Sequence, residues 1–335
     1  MDISKITRVR GMKKRAVYMY LAMCLALALS VTGCSKKTVS SDGVRTVEKD
    51  YTKGQIMVVA ATERNRYQNI YTSQLWSVKA DDSGATFEEK LLGQIEQFLI
   101  ELGTTNLMAD EQGIELTGQE KDSLKALAKE YYRGLSEQDR DYMGVTESEV
   151  YDLYCEYYRA DKLVAELTRD ENLEVSDAEA KVIQVQQIVL DSRERAEDIL
   201  SQVQQENADF ANIASRSSRD VQINHTMEWS SDMDIREEAA FTLEQDEISD
   251  ILEEDGKYYI LKCTNAYDEE ATAARKSMLA QEKKTKAFLA IYEPFVREHT
   301  VKLKDDLEEI VDFSKGQGCT SDNFFQMYHN YFMVR

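Results

Sequence analysis

Proline is almost missing from this chain: Pro294 is the single one among 335 residues, where average usage is about 5%. Interior proline breaks helices, so long uninterrupted helices are expected. Histidine is nearly as scarce. The three present, His225, His299 and His329, are too few and too scattered for a zinc or catalytic cluster. The cysteines have no C-x-x-C spacing, and Cys24 and Cys34 belong to the N-terminal segment. Cys155, Cys263 and Cys319 remain, an odd number, so neither a disulfide framework nor a metal site is expected, and no cofactor. Basic runs are absent beyond the first fifteen or so residues, and the formal net charge is -21. Phosphate neutralisation by Lys and Arg drives nucleic-acid binding, so nucleic acid is excluded as a partner. The acidity suits solubility, or attraction of basic unfolded chains.

The N-terminus does not read as fold. Lys5, Arg8, Arg10, Lys13, Lys14 and Arg15 precede an apolar run over 16–30. That run suits the apolar core of a signal peptide and is short of the ~20 residues a spanning helix needs. It ends in VTGC at 31–34, which resembles the bacterial lipobox. The resemblance implies residues 1–33 as a signal peptide and a lipid on Cys34. The polar segment 34–53 then reads as a flexible tether. An ordinary secretory signal, with Cys34 incidental, is the plainer alternative.

Along the chain, GQIMVVAAT (54–62) reads as a short buried strand, followed by a helix over 66–78. Phe87, Leu91, Ile95, Phe98, Leu99 and Leu102 keep helical spacing. Thr117 with Glu120, Thr146 with Glu149, and Ser176 with Glu179 have capping-box spacing. They predict helices over about 118–133, 147–168 and 177–181, with another at 136–142. The helix over 147–168 carries Tyr151, Tyr154, Tyr157 and Tyr158. These aromatics form either core or a client-binding groove. A long helix is expected over 269–298, a strand over 301–304 and a closing helix over 305–313. The tail, 314–335, begins polar and ends with Phe324, Phe325, Tyr328, Tyr331 and Phe332. Docking on the body and binding a partner both remain open for it.

The region 182–264 differs from its surroundings. VIQVQQIVL (Val182–Leu190) and, after the Asp255–Gly256 turn signal, KYYILKC read as strands. Ala196, Ile199, Leu200 and Val203, then Phe210, Ile213 and Ala214, keep helical spacing. The order is β-α-α-β-α-β.

Five pieces of this region, in order, resemble the parvulin-type peptidyl-prolyl isomerase domain: QQIVL (186–190), AEDILSQVQQENADFANIASRSSRD (196–220), TMEW (226–229), EEAAFTLEQDEISDIL (237–252) and GKYYILK (256–262). With helical segments on both sides, the chain resembles PrsA- and SurA-type extracytoplasmic foldases. That resemblance implies an α+β protein. Its helical chaperone-like body comes from N-terminal (54–177) and C-terminal (267–313) segments, with the parvulin-like domain inserted at 178–266. It also implies newly secreted or unfolded polypeptides as partners, a membrane contact through the lipid, and a monomer or weak dimer.

The family's active centre is a pair of histidines, a Cys or Asp beneath them, and an apolar pocket. Carried over, Gln187 and Tyr259 stand at the histidine positions and Asp220 at the Cys/Asp position. Met227, Trp229 and Phe241 fall at substrate-binding positions, while Asp232 or Met233 and Arg236 fall where the family has its earlier pocket members. Glu228 replaces a glycine. The resemblance thus implies an isomerase with a degenerate catalytic set. A foldase that holds secreted chains with or without isomerase turnover is one expectation. The other is a surface lipoprotein whose parvulin-like domain only binds a partner.

Overall fold

The computed structural model describes residues 44–80 and 84–332. The signal-peptide and Cys34 lipidation expectations lie outside the described residues. The chain divides into two compact units. One comprises the residues up to Asp170 together with those from Ala287 onward; the other is Glu171–Lys286.

The first unit is mainly helical: α1 (Lys53–Gln68), a 3-10 turn (Ser73–Ser77), α2 (Phe87–Glu111), α3 (Gly118–Gly134), α4 (Glu137–Met143) and α5 (Glu147–Leu167). Each of the five helices opens on a capping box, from Thr52–Gln55 through Thr146–Glu149. The strand expected at 54–62 is a correction, because those residues form most of α1. Every residue from Gly54 to Asn65 is buried. A helix enclosed on all sides has no polar face, so its sequence has no helical period and a short apolar stretch reads equally as strand. A Cβ on Gly54 would sit 3.0 Å from the Val145 backbone and 2.9 Å from the Glu149 carboxylate, so a larger residue here would have to displace both. The helix expected over 66–78 is also corrected: α1 ends at Gln68 and the 3-10 turn follows.

The tether expectation for 34–53 fails in part. Residues Arg45–Lys49 form β1, which pairs in parallel with β6 (His299–Leu303), with Val47 opposite Val301. Between β6 and the tail, the helix expected over 305–313 is only a single turn, Leu307–Ile310. The tail itself is built into the core. Its helix, Phe324–Phe332, buries Phe324 and Tyr328 among Tyr131, Tyr154 and Leu127. Of the two options for the α5 tyrosines, core is the outcome for Tyr154, which stacks on Phe324; Tyr151, Tyr157 and Tyr158 are partly buried against that core, Tyr157 meeting Phe325 and Tyr328 and Tyr158 meeting Phe332.

The second unit has the one-turn helix Asp177–Ala180, followed by β2 (Val182–Leu190), two helices (Arg193–Val203 and Phe210–Ser217), β3 (Asn224–Glu228), a helix (Ile235–Thr242), β4 (Leu252–Glu254) and β5 (Lys257–Asn265). The antiparallel sheet has the order β3-β2-β5-β4. The three-residue β4 adds to the expected order. It turns into β5 through Asp255 and Gly256, both at positive φ (50° and 73°), the conformation a two-residue hairpin turn of this twist demands. One sheet face packs Ile188, Leu190 and Ile260 against Ala196, Ile199, Phe210 and Ala214 of the first two helices. The other packs Ile183, Val185 and Leu261 against Ala240 of the third. The long helix Glu269–Glu298 continues the chain from this unit into the first, with Pro294 in its last turns. Among the described residues no helix is long and apolar enough to cross a membrane.

Candidate functional site

Directly opposed residues of antiparallel strands project to the same face. Gln187 lies opposite Leu261, Tyr259 opposite Val189, and His225 opposite Val185. Alternation along β2 therefore places Gln187, Tyr259 and His225 on one face, the face that also carries Leu261.

Gln187 is 3% exposed and Tyr259 is 8% exposed. The Gln187 side-chain amide donates to Asp220 Oδ2 at 3.2 Å, and its backbone N–H to Ile223 O at 2.9 Å. Asp220 is brought there by a loop laid along the end of β2. Ser218 Oγ accepts from the N–H groups of Val189 (3.0 Å) and Asp220 (3.1 Å), and Arg219 N–H donates to Val189 O at 2.8 Å. Gln222 N–H donates to Asp220 Oδ1 at 2.9 Å. His225 Nε2 lies 2.8 Å from Gln222 O and 3.5 Å from Asp220 Oδ2. One carboxylate thus gathers an amide, a backbone N–H and an imidazole.

Tyr259 has a different neighbour. The Arg236 guanidinium lies over its ring, 5.0 Å from the centroid. Arg236 also donates to Asp234 Oδ2 at 2.5 Å and approaches Glu254 Oε2 at 3.1 Å. Partial burial pushes the Asp234 carboxyl up. Hydrogen bonds from the Glu237 N–H and the Arg236 guanidinium outweigh it and hold the group below the usual range. A guanidinium with two carboxylates therefore stands against Tyr259, at a position for which the parvulin resemblance implies an apolar pocket member.

Met227 and Phe241 join the cluster of Ile183, Val185, Ala240 and Leu261, and Lys181 Nζ lies 5.7 Å over the Phe241 ring. Trp229 is placed apart. Its N–H donates to Lys181 O at 2.9 Å, at the start of β2, roughly 20 Å along the strand from Gln187. The structure thus groups Gln187 with Asp220, sets Tyr259 beneath Arg236, and leaves Trp229 at the far end of β3. It also adds His225 to the group, a contact that depends on strand register and had no motif to announce it. Among the described residues no cluster of His, Cys, Asp and Glu is arranged to hold a metal ion.

Residues 184–265 match the family model described as Rotamase: PPIC-type PPIASE domain, so the sheet and helices carrying this site are a rotamase-type domain. Among solved structures, the chain is similar to foldase protein PrsA from Streptococcus pneumoniae, at 20% identity over 77% of this chain and 99% of that one, with a TM-score of 0.26. It is similar to the peptidylprolyl isomerase PrsA from Bacillus cereus at 19% identity over 75% and 99%, TM-score 0.33. PrsA from Bacillus subtilis gives 19% over 70% and 96%, TM-score 0.25. No curated protein matches the chain.

Proposed function

We propose that this protein is an extracytoplasmic foldase, anchored through a lipid on Cys34, that holds newly secreted polypeptides and assists their folding. The observation that carries the reading is a rotamase-type domain whose centre keeps a hydrogen-bonded polar group, Gln187–Asp220–His225. A largely helical unit assembled from segments on both sides of it accompanies that domain. In this reading the first unit, up to Asp170 and from Ala287 onward, makes a chaperone-like body, and the second, Glu171–Lys286, carries the isomerase-like domain.

Prolyl isomerisation needs little covalent chemistry. The barrier is ~18–20 kcal/mol, and a catalyst lowers it by favouring the twisted amide over the planar one. Gln187, Asp220 and Tyr259 are the residues proposed to face that amide, with Met227 and Phe241 as apolar contacts and Trp229 at the edge of the strand. Arg236 over Tyr259 favours a second reading, in which the altered site binds extended chains without turning them over.

Exchange NMR of an Xaa-Pro peptide with the full-length protein separates the two, run beside an aggregation assay of an unfolded client. Acceleration that is lost in Tyr259→Ala makes the domain a working isomerase. Suppressed aggregation without acceleration makes it a holding chaperone. If neither occurs at several-fold excess of folded protein, the foldase reading falls.

A further inference from the structure

The sheet of the second unit ends on one side in β3. Antiparallel pairing alternates between residues bonded across the ladder and residues that are not. The Gln187 N–H donates to Ile223 O and the Trp229 N–H to Lys181 O, each at 2.9 Å. Between them Val185 lies opposite His225 and Ile183 opposite Met227. His225 and Met227 therefore turn their backbone groups towards β2. The N–H and C=O groups of Asn224, Thr226 and Glu228 point away from it, and these three residues are exposed. Asn224 O accepts from the Gln222 side-chain amide at 3.2 Å. Among the described residues the backbone groups of Thr226 and Glu228 have no hydrogen-bond partner.

Such a row is a template for another strand, and natural sheets blunt it with short strands, charges or bulges. The opposite edge is blunted in this way. β4 has three residues, and its Glu253 and Glu254 are paired with Arg193 and Arg236. β3 has five residues in unbroken register with β2.

Charge decides the occupant. The second unit, Glu171–Lys286, holds 27 acidic and 13 basic residues. Arg219 ahead of β3 and Arg275 at its end are already paired, with Asp191 and Glu228. A second copy brings the same negative excess to the same edge and is repelled, whereas a basic chain is attracted. A strand added here continues the alternation of the sheet. Every second side chain of it lies beside His225 and Met227, on the face that carries Gln187 and Tyr259.

We propose that the outer edge of β3 takes an extended, net-basic segment of another polypeptide as an added strand, a mode in which main-chain hydrogen bonds supply affinity. Such binding rests on the foldase reading, in which this domain meets unfolded chains, and needs no isomerase turnover.

The test is NMR-detected amide exchange on the full-length protein with three end-blocked peptides: alternating valine and lysine, the same sequence N-methylated at its central residues, and alternating valine and glutamate. At millimolar concentration the valine-lysine peptide is expected to slow exchange of the Thr226 and Glu228 amides by about threefold or more, and the other two to leave it unchanged. Thr226→Pro removes one outward N–H, and edge strands accept proline where the N–H faces solvent. Thr226→Lys keeps the backbone and sets a like charge before the peptide. Each is expected to weaken valine-lysine binding at least fivefold while thermal unfolding stays cooperative. Protection by the N-methylated peptide, or binding indifferent to both variants, would overturn pairing at this edge. Equal protection by the valine-glutamate peptide would overturn the basic partner. Protection that grows with protein concentration in the absence of peptide would overturn the proposal in favour of a second copy. If no peptide binds, the proposal falls alone where the same protein suppresses client aggregation, and together with the foldase reading where it does not.

Discussion

Tyr154 and Phe324 stack with ring centroids 4.2 Å apart and planes 5° from parallel, and the Tyr154 hydroxyl donates to the Phe324 carbonyl at 3.0 Å. Both side chains are fully buried. A tail residue is therefore part of the main core of the first unit, and its removal should act on folding. Phe→Ala in a core costs about 3–5 kcal/mol, and the ring pair adds about 0.5–1.5 kcal/mol. Phe324→Ala is expected to lower the melting temperature of this unit sharply, and deletion of 314–335 should do more. Calorimetry checks both. A deletion variant with unchanged melting would mean that the tail is an independent module.

Arg64 makes a second tie between the first helix and the tail. It is 2% exposed. Its Nε donates to Phe313 O at 3.1 Å and its Nη2 to Lys315 O at 2.7 Å, while the guanidinium lies 5.1 Å from the Tyr142 ring centroid. Lysine is a point donor and cannot reproduce this planar fork. Arg64→Lys is expected to cost about 2–4 kcal/mol, because two buried carbonyls lose a charged donor. Hydrogen exchange should rise first across 313–332, since that segment is what the fork holds. Exchange that rises uniformly across both units would argue against a local tie.

Much of the helical order was legible because capping boxes are local. Thr117–Glu120, Thr146–Glu149 and Ser176–Glu179 each start a helix where their spacing places one. The Asp255–Gly256 turn was legible for the same reason. Features decided by tertiary contact were not. Helix α1 is enclosed and has no amphipathic period. Strand β1, RTVEK, is mostly exposed and takes its place from pairing with a strand some 250 residues away in the sequence. In the candidate site, Gln187, Asp220 and the position of Arg236 came from motif order, whereas the approach of His225 to Asp220 depends on strand register and the placing of Arg236 over Tyr259 on tertiary packing.

Two buried glutamates set a pH dependence. Burial pushes the Glu101 carboxyl up to about 7, partly opposed by the hydrogen bond from Gln97. Burial does the same for Glu63, to about 7, opposed mainly by Arg66. The ordinary value of a glutamate carboxyl is 4.5. Between pH 4.5 and 7 the unfolded chain loses these protons while the folded chain keeps them. The folded state then binds more protons, so stability falls as pH rises through this window and stays lower above it. Glu101→Gln is expected to flatten the fall and to add about 1–3 kcal/mol at pH 8. Urea unfolding at pH 5 and pH 8 measures the difference. A variant less stable than the parent at pH 8 would show that the Glu101 carboxylate is held by a favourable interaction instead.

The polar group on the rotamase-type face separates a structural from a chemical role. Asp220→Ala leaves the Gln187 amide, 3% exposed, without the carboxylate that now accepts from it. That change should cost about 1–3 kcal/mol and also disturb His225, which approaches the same oxygen. Asp220→Asn keeps an acceptor oxygen at little cost in stability and removes the charge. If the carboxylate acts on the twisted amide, Asp220→Asn should reduce an exchange-NMR isomerisation rate at least tenfold while melting stays within a few degrees. Tyr259→Phe keeps the ring under the Arg236 guanidinium and deletes only the hydroxyl. A rate lost in this variant assigns the hydroxyl a part in turnover. A rate kept in Tyr259→Phe but lost in Tyr259→Ala assigns the ring the task of holding Arg236. Rates unchanged in all three variants would remove Asp220 and Tyr259 from the site.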